Sequence, residues 1–214
     1  MKKRLERALL AAAVAIMAVA VNVAGPAQAE DQVAMLSSFA SNMEVGAGTS
    51  TPIGYARFCE ANPADCGNGN HRGGKVALSE ANFAQLAKVN DEVNTRIQPL
   101  TDMEHFGEVE RWTYPDDGYG DCEDYVLEKR RTLIGLGWPA ETLLITVVRD
   151  HKGDGHSVLT VITDRGDLVL DNQELRIQLW HETGYRFVKR QAQGRPDQWV
   201  SLGDVLAPAT VGRN

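Results

Sequence analysis

The chain has 214 residues, with 22 Lys and Arg against 29 Asp and Glu, a formal net charge of −7, and three cysteines. That balance excludes partners captured by long-range attraction to a basic surface, nucleic acid and anionic membranes among them. The one short basic cluster, Lys129-Arg130-Arg131, falls on a predicted helix and reads as a solvated face.

Lys2, Lys3, Arg4 and Arg7 form a basic start, Leu9 to Ala20 is an apolar run, and Ala27-Gln28-Ala29 has the small-x-small pattern of a cleavage site. Residues 1–29 therefore read as a secretory signal peptide, with an uncleaved N-terminal anchor as the alternative. Cleavage would leave 185 residues (214 − 29) and a net charge of −10, because four basic residues and Glu6 depart together. That length suits one domain with a sizeable core. No later stretch approaches the ~20 apolar residues of a membrane span, so none is expected after cleavage, and the compartment is periplasmic or extracellular. Residues 30–52 are poor in large apolar side chains and read as an N-terminal arm that orders only by packing on the domain, which occupies 53–214.

An oxidising compartment decides how the cysteines are read. Cys59 and Cys66 lie seven apart in a loop-like stretch with Pro63 between them and Gly67 after them, so a disulfide is expected; two free thiols or a pair of metal ligands are the alternatives. Cys122 is then the thiol left over.

Along the domain, Ser79 can cap a helix whose Phe83, Leu86, Val89, Val93 and Ile97 recur at three- and four-residue steps, ending before Pro99. A connecting segment holding Trp112, Tyr114, Pro115 and Gly118 leads to a second helix from about Cys122 to Leu136, stopped by Gly135, Gly137 and Pro139. The period then changes. Thr142–Val148 and Ser157–Thr163 are β-branched apolar runs, Asp164-Arg165-Gly166-Asp167 is a turn, and Leu168–Leu170 begins a third strand ending at Asp171-Asn172. Tyr185–Gln191 and Gln198–Leu202 add one or two edge strands, with Gly194 to Asp197 as the turn between them. Short links favour an antiparallel meander. Helices first and a sheet afterwards give an α+β fold, the Cys122 helix packed against the sheet.

Cys122 sits where a glycine-rich turn feeds that helix, and the positive end of the helix dipole favours a thiolate there. His156 opens the second strand and Asp171 closes the third, so a hairpin about residues 164–167 brings both to one end of the sheet. Reflection about residue 165 pairs 156 with 174, three positions beyond Asp171, an offset that a bulge or longer loop can absorb. Such a pair supplies a base and its orienter to a cysteine nucleophile. His151 is a competing base, and each residue also has a plain reading as a turn or strand end.

Gly118-x-Gly-Asp-Cys-Glu-Asp-Tyr, Gly137-Trp138-Pro139, Gly155-His156-x-Val-Leu and Val169-Leu170-Asp171-Asn172 together resemble the bacterial transglutaminase-like cysteine peptidases, the family that includes the LapG periplasmic proteases. The resemblance covers residues 75 to 175. It implies a papain/transglutaminase-like core, a Cys122–His156–Asp171 triad, cleavage of an exported or surface-attached protein substrate, and a possible inner-membrane regulatory receptor. By analogy with transglutaminases, the Trp112 indole N–H is a candidate second oxyanion donor; packing, or lining a substrate groove, is the alternative.

Carboxylates at Asp121, Glu123 and Asp124 should raise the pKa of the neighbouring thiol unless something neutralises them. LapG proteases bind calcium through acids at this place, so the resemblance implies a Ca²⁺ site at these three residues, beyond the triad chemistry that needs no cofactor. The alternative is helix-start charges that only complement the dipole. Asp150-x-Lys152-x-Asp154-Gly155 has a calcium-loop outline but puts Lys152 at a ligand position and lacks the distal acid. Transglutaminase or amidase chemistry on the same triad, and a non-catalytic binding module of this fold, are the competing functions.

Overall fold

The computed structural model describes residues 42–67 and 73–203, so the predicted signal peptide lies outside the described residues. In chain order the elements are β1 (Gly48–Thr49), α1 (Ile53–Ala61), α2 (Glu80–Arg96), β2 (Gln98–Pro99), α3 (Asp102–His105), β3 (Tyr119–Gly120) and α4 (Cys122–Gly135). There follow β4 (Leu143–Arg149), β5 (Gly155–Thr163), β6 (Gly166–Leu170), β7 (Gln178–Leu179), β8 (Arg186–Ala192) and β9 (Arg195–Ser201). The fold is α+β, the helices preceding all but the first strand of a seven-stranded sheet of order β1-β9-β8-β4-β5-β6-β7.

The Ser79 side chain accepts from the Asn82 N–H, and Phe83, Leu86, Val89 and Val93 of α2 are buried along the expected stripe. Helix α4 lies between α2 and strand β5, so its first three turns are buried on nearly every side. Leu143, Ile145, Val147, Leu159, Val161, Leu168 and Leu170 meet the helices in the main core, while Met43, Val148, Val158, Val169 and Phe187 form a second cluster. Each fully buried side chain of this kind contributes about 1.5–3 kcal/mol.

Strands β4 to β7 run as the expected meander, but β8 returns across the sheet to pair with β4, and β9 lies beyond it. The 185–191 stretch is thus an interior strand rather than an edge. Because β4 is buried along nearly its whole length, it requires a hydrogen-bonded neighbour on both sides. Arg195 to Asp197 belong to β9 rather than to a turn. Residues 30–41 of the arm lie outside the described residues; its described part packs on the domain through the buried Met43 and through β1, which pairs with Trp199 and Val200.

Two further differences follow from burial. Cys59 lies in α1, an element whose short apolar content gave no periodic signal, and it is bonded to Cys66. The basic cluster is not a solvated face: Lys129 is fully buried, Arg130 is buried with Nε donating to the Leu143 carbonyl at 3.1 Å, and only Arg131 reaches solvent, bridging Asp116 and Glu128. Among the described residues no helix is long and apolar enough to cross a membrane.

Candidate active site

Cys122 is the first residue of α4, behind the N-cap Asp121. Gly120 is required there by space: a Cβ would lie 2.7 Å from both Cβ and Oδ2 of Asp124. Asp124, the third helical residue, folds back under the turn, Oδ1 accepting from the Thr113 N–H at 2.8 Å and Oδ2 from the Asp121 N–H at 3.4 Å.

His156 and Asp171 are brought together. The β5–β6 ladder runs from Thr163↔Gly166 to Leu159↔Leu170, and one step further sets Asp171 opposite Val158, two residues from His156 on the same side of the strand. They are diagonal neighbours, a spacing that long side chains span. Neither a bulge nor a long loop is needed, because the tight turn at Asp164 and Arg165 shortens the expected offset. His156 Nε2 is 2.8 Å from Asp171 Oδ1, and both residues are buried. Asp171 Oδ1 also accepts from the Gln173 N–H at 3.0 Å, and its backbone carbonyl accepts from Asn94 of α2 at 2.7 Å. Burial pushes the Asp171 carboxyl up, but hydrogen bonds and charge from His156, then Gln173 and Tyr185, outweigh it and hold the group below its usual range. His151 is exposed on the turn before β5.

The backbone amide of Ser157, the residue after His156, lies close enough to Cys122 to pull the thiol pKa down slightly. The thiol proton goes to Glu123 Oε2 at 3.1 Å. The thiol is only 1% exposed. Burial, then the charges of Glu123 and Asp121, push it well above the usual thiol range. The helix dipole alone does not deliver a thiolate in this arrangement.

Three ligand atoms, one each from Asp102, Asp121 and Glu123, lie within 4.8 Å of one another. Asp121 Oδ1 and Glu123 Oε1 are buried with no hydrogen-bond partner among the described residues. Burial, then the charges of Asp102 and Glu110, push Asp121 up to about 7; burial and Asp121 push Glu123 well above the carboxylate range. Asp124, expected in this group, stands outside it, its oxygens turned to the Thr113 and Asp121 N–H groups. Asp102, on α3, was missed by sequence reasoning, since it lies 19 residues from Asp121 in a segment without a recognisable motif. Asp150 Oδ1 accepts the N–H groups of Lys152 and Asp154 and forms an ordinary turn.

Trp112 does not present its indole N–H as a spare donor: it is given to Glu110 Oε1 at 2.7 Å. Its ring packs on Tyr55 at 5.5 Å and lines a cleft of about 530 Å³ with Phe58, Arg111 and Tyr114, the alternative role expected of it.

Residues 45–206 match the family of bacterial transglutaminase-like cysteine proteinases (BTLCP). Among solved structures, Legionella pneumophila LapG is 30% identical at a TM-score of 0.45, covering 50% of this chain and 62% of that one. This chain therefore spans less than two thirds of that LapG chain. Calcium-bound LapG of the same organism is 22% identical at a TM-score of 0.49, covering 86% of this chain and 93% of that one. No protein of curated function matches the sequence.

Proposed function

Because this chain belongs to the bacterial transglutaminase-like cysteine proteinases, we propose that it is a cysteine endopeptidase that cleaves an exported or surface-attached protein in the periplasm. Cys122 is the nucleophile, His156 the general base and Asp171 the orienting carboxylate. The observation that supports this reading most is the buried His156–Asp171 pair at 2.8 Å, on the strand whose next backbone amide, that of Ser157, acts on the Cys122 thiol.

With Nε2 committed to Asp171, Nδ1, which lies 3.4 Å from the Gln173 side-chain amide nitrogen, is the ring nitrogen that takes the Cys122 proton once that long contact gives way. The thiolate attacks the scissile carbonyl and the imidazolium gives the proton to the leaving amine; water then hydrolyses the thioester with His156 as base. The Cys122 N–H at the helix start donates to the oxyanion. Trp112 is left to pack and to line the cleft.

Asp102, Asp121 and Glu123 are the residues that would hold calcium. Their converging carboxylates, with Asp121 Oδ1 and Glu123 Oε1 buried and without a partner among the described residues, suit a hard cation with oxygen ligands, and bound calcium would neutralise the carboxylates that oppose the thiolate. An inner-membrane receptor that sequesters the enzyme belongs to the same reading, as a protein partner.

Incubating the mature protein with an extracellular protein fraction in CaCl₂ should give new fragments, lost on Cys122→Ala and reduced at least tenfold in EGTA. Cross-linked product would instead assign a transferase, and identical patterns from wild type and Cys122→Ala would remove the enzyme reading. Iodoacetamide should label Cys122 faster in CaCl₂ than in EGTA at pH 7; equal rates would remove the metal from the chemistry.

A further inference from the structure

Asp171 has a second oxygen, and it is also taken. The Tyr185 O–H donates to Asp171 Oδ2 at 2.6 Å. The Tyr185 ring stands edge-on to the His156 ring, centroids 5.8 Å apart at 78°, and the ring of His151 lies 5.0 Å from it. The backbone is shaped for this seat: the Tyr185 N–H is held by Thr183 Oγ1 at 3.2 Å, and Gly184 has a φ of +71°, where a Cβ would come 2.9 Å from His151 Cε1. Sequence reading took residue 185 as the start of an edge strand and gave it no role.

We propose that Tyr185 is a positioning residue of the site: its hydroxyl fixes the Asp171 oxygen that His156 leaves free, and its ring walls one side of the imidazole. This rests on the reading of Cys122, His156 and Asp171 as a triad. A carboxylate bonded through one oxygen can swing about χ2; one bonded through both is locked, and so is the imidazole held by it. A phenol partner also keeps the group ionised. Burial, then the hydrogen bond to Asp171, push the phenol itself up, so it stays a donor at any working pH. The other charged or titratable groups around the couple are Lys129 from α4 and His151, Asp150 and Glu174 around Tyr185.

The test uses iodoacetamide on the mature protein at fixed CaCl₂, from pH 4 to 9. Cys122 is the one free thiol, so labelling reports the site without a known substrate. Tyr185→Phe keeps the ring and removes the donor. It should slow labelling about tenfold, the cost of one hydrogen bond to a charged group, and move the acid limb of the profile to higher pH, because Asp171 then protonates more readily. Site-specific 3-fluorotyrosine at 185, a more acidic phenol of nearly the same shape, should move that limb the other way. In an Asp171→Asn background the Tyr185→Phe change should have no further effect. An equal loss in both backgrounds, or a limb that neither substitution moves, would overturn the positioning role. If Asp171→Asn alone labelled like the wild type, the triad itself would fall, and this role with it; a crippled Asp171→Asn beside an unchanged Tyr185→Phe would overturn the clamp and leave the triad standing.

Discussion

Lys129 shows how far one side chain can depart from its usual habit. It is fully buried on α4, Nζ has no hydrogen-bond partner among the described residues, and its nearest aromatic contact is the Tyr125 ring at 6.0 Å. Burial lowers its pKa to about 7, with the charge of Asp171 pulling the other way. A lysine whose folded pKa is depressed weakens the fold fully below that value, and the penalty fades as pH rises toward the unfolded value. Lys129→Met, of similar volume, should therefore stabilise the protein by about 1–3 kcal/mol at pH 6 and by less at pH 9, read by urea unfolding at both. No gain at pH 6 would mean that Asp171 fully compensates the buried charge. Sequence could not show this, because three consecutive basic residues on a helix look the same whether the helix is a surface element or the one the domain wraps around. Chain order was more informative for Cys122, His156 and Asp171, which turn and strand boundaries place within reach. It said less about Asp102 and Asp124, because whether a carboxylate joins the acidic cluster or turns back to cap a helix depends on which way its side chain folds.

At the scale of elements, strands and long helices were legible because their periods are set by burial on one or two faces. Helix α1 was not, since it buries only Gly54, Tyr55 and Phe58 and takes its place from partners remote in sequence. Tyr55 packs on Trp112 and Trp199, and its hydroxyl accepts from Gln191 at 2.7 Å and lies 3.3 Å from Cys66 Sγ. The Cys59–Cys66 bond closes the loop that follows the helix and so holds Tyr55 in that cluster. Replacing both cysteines by serine should cost about 2–3 kcal/mol by the chain-entropy account, measured by denaturant unfolding. It should also raise protease sensitivity around residues 60–67; a cost below ~1 kcal/mol would show that the aromatic contacts alone seat the helix. The crossing of β8 to the far side of β4 was equally hidden, because a short link looks the same to either neighbour.

Over the whole molecule, the balance of stability against pH should be set by the acidic cluster behind Cys122. Asp121 in the folded protein is pushed up to about 7 from 3.8, and Glu123 is raised too. A raised carboxylate makes its stabilising contribution below its unfolded pKa and loses it as pH climbs through the folded one. In EGTA the Tm should therefore fall between pH 4 and 7, by about 5 °C for each ~2 kcal/mol lost. Calcium should restore it at pH 8 and do little at pH 4.5; calorimetry showing the same Tm at both pH values without metal would refute the assignment. The pairing of β1 with β9 has a different consequence. Gly46 N–H donates to the Ser201 carbonyl and Ser201 N–H to that of Ala47, so the first and last described strands lie side by side. In a polypeptide trimmed to residues 46–203, a short bridge of glycines and serines across that seam would close a ring without disturbing the sheet, freeing an exposed loop elsewhere to become the new pair of ends.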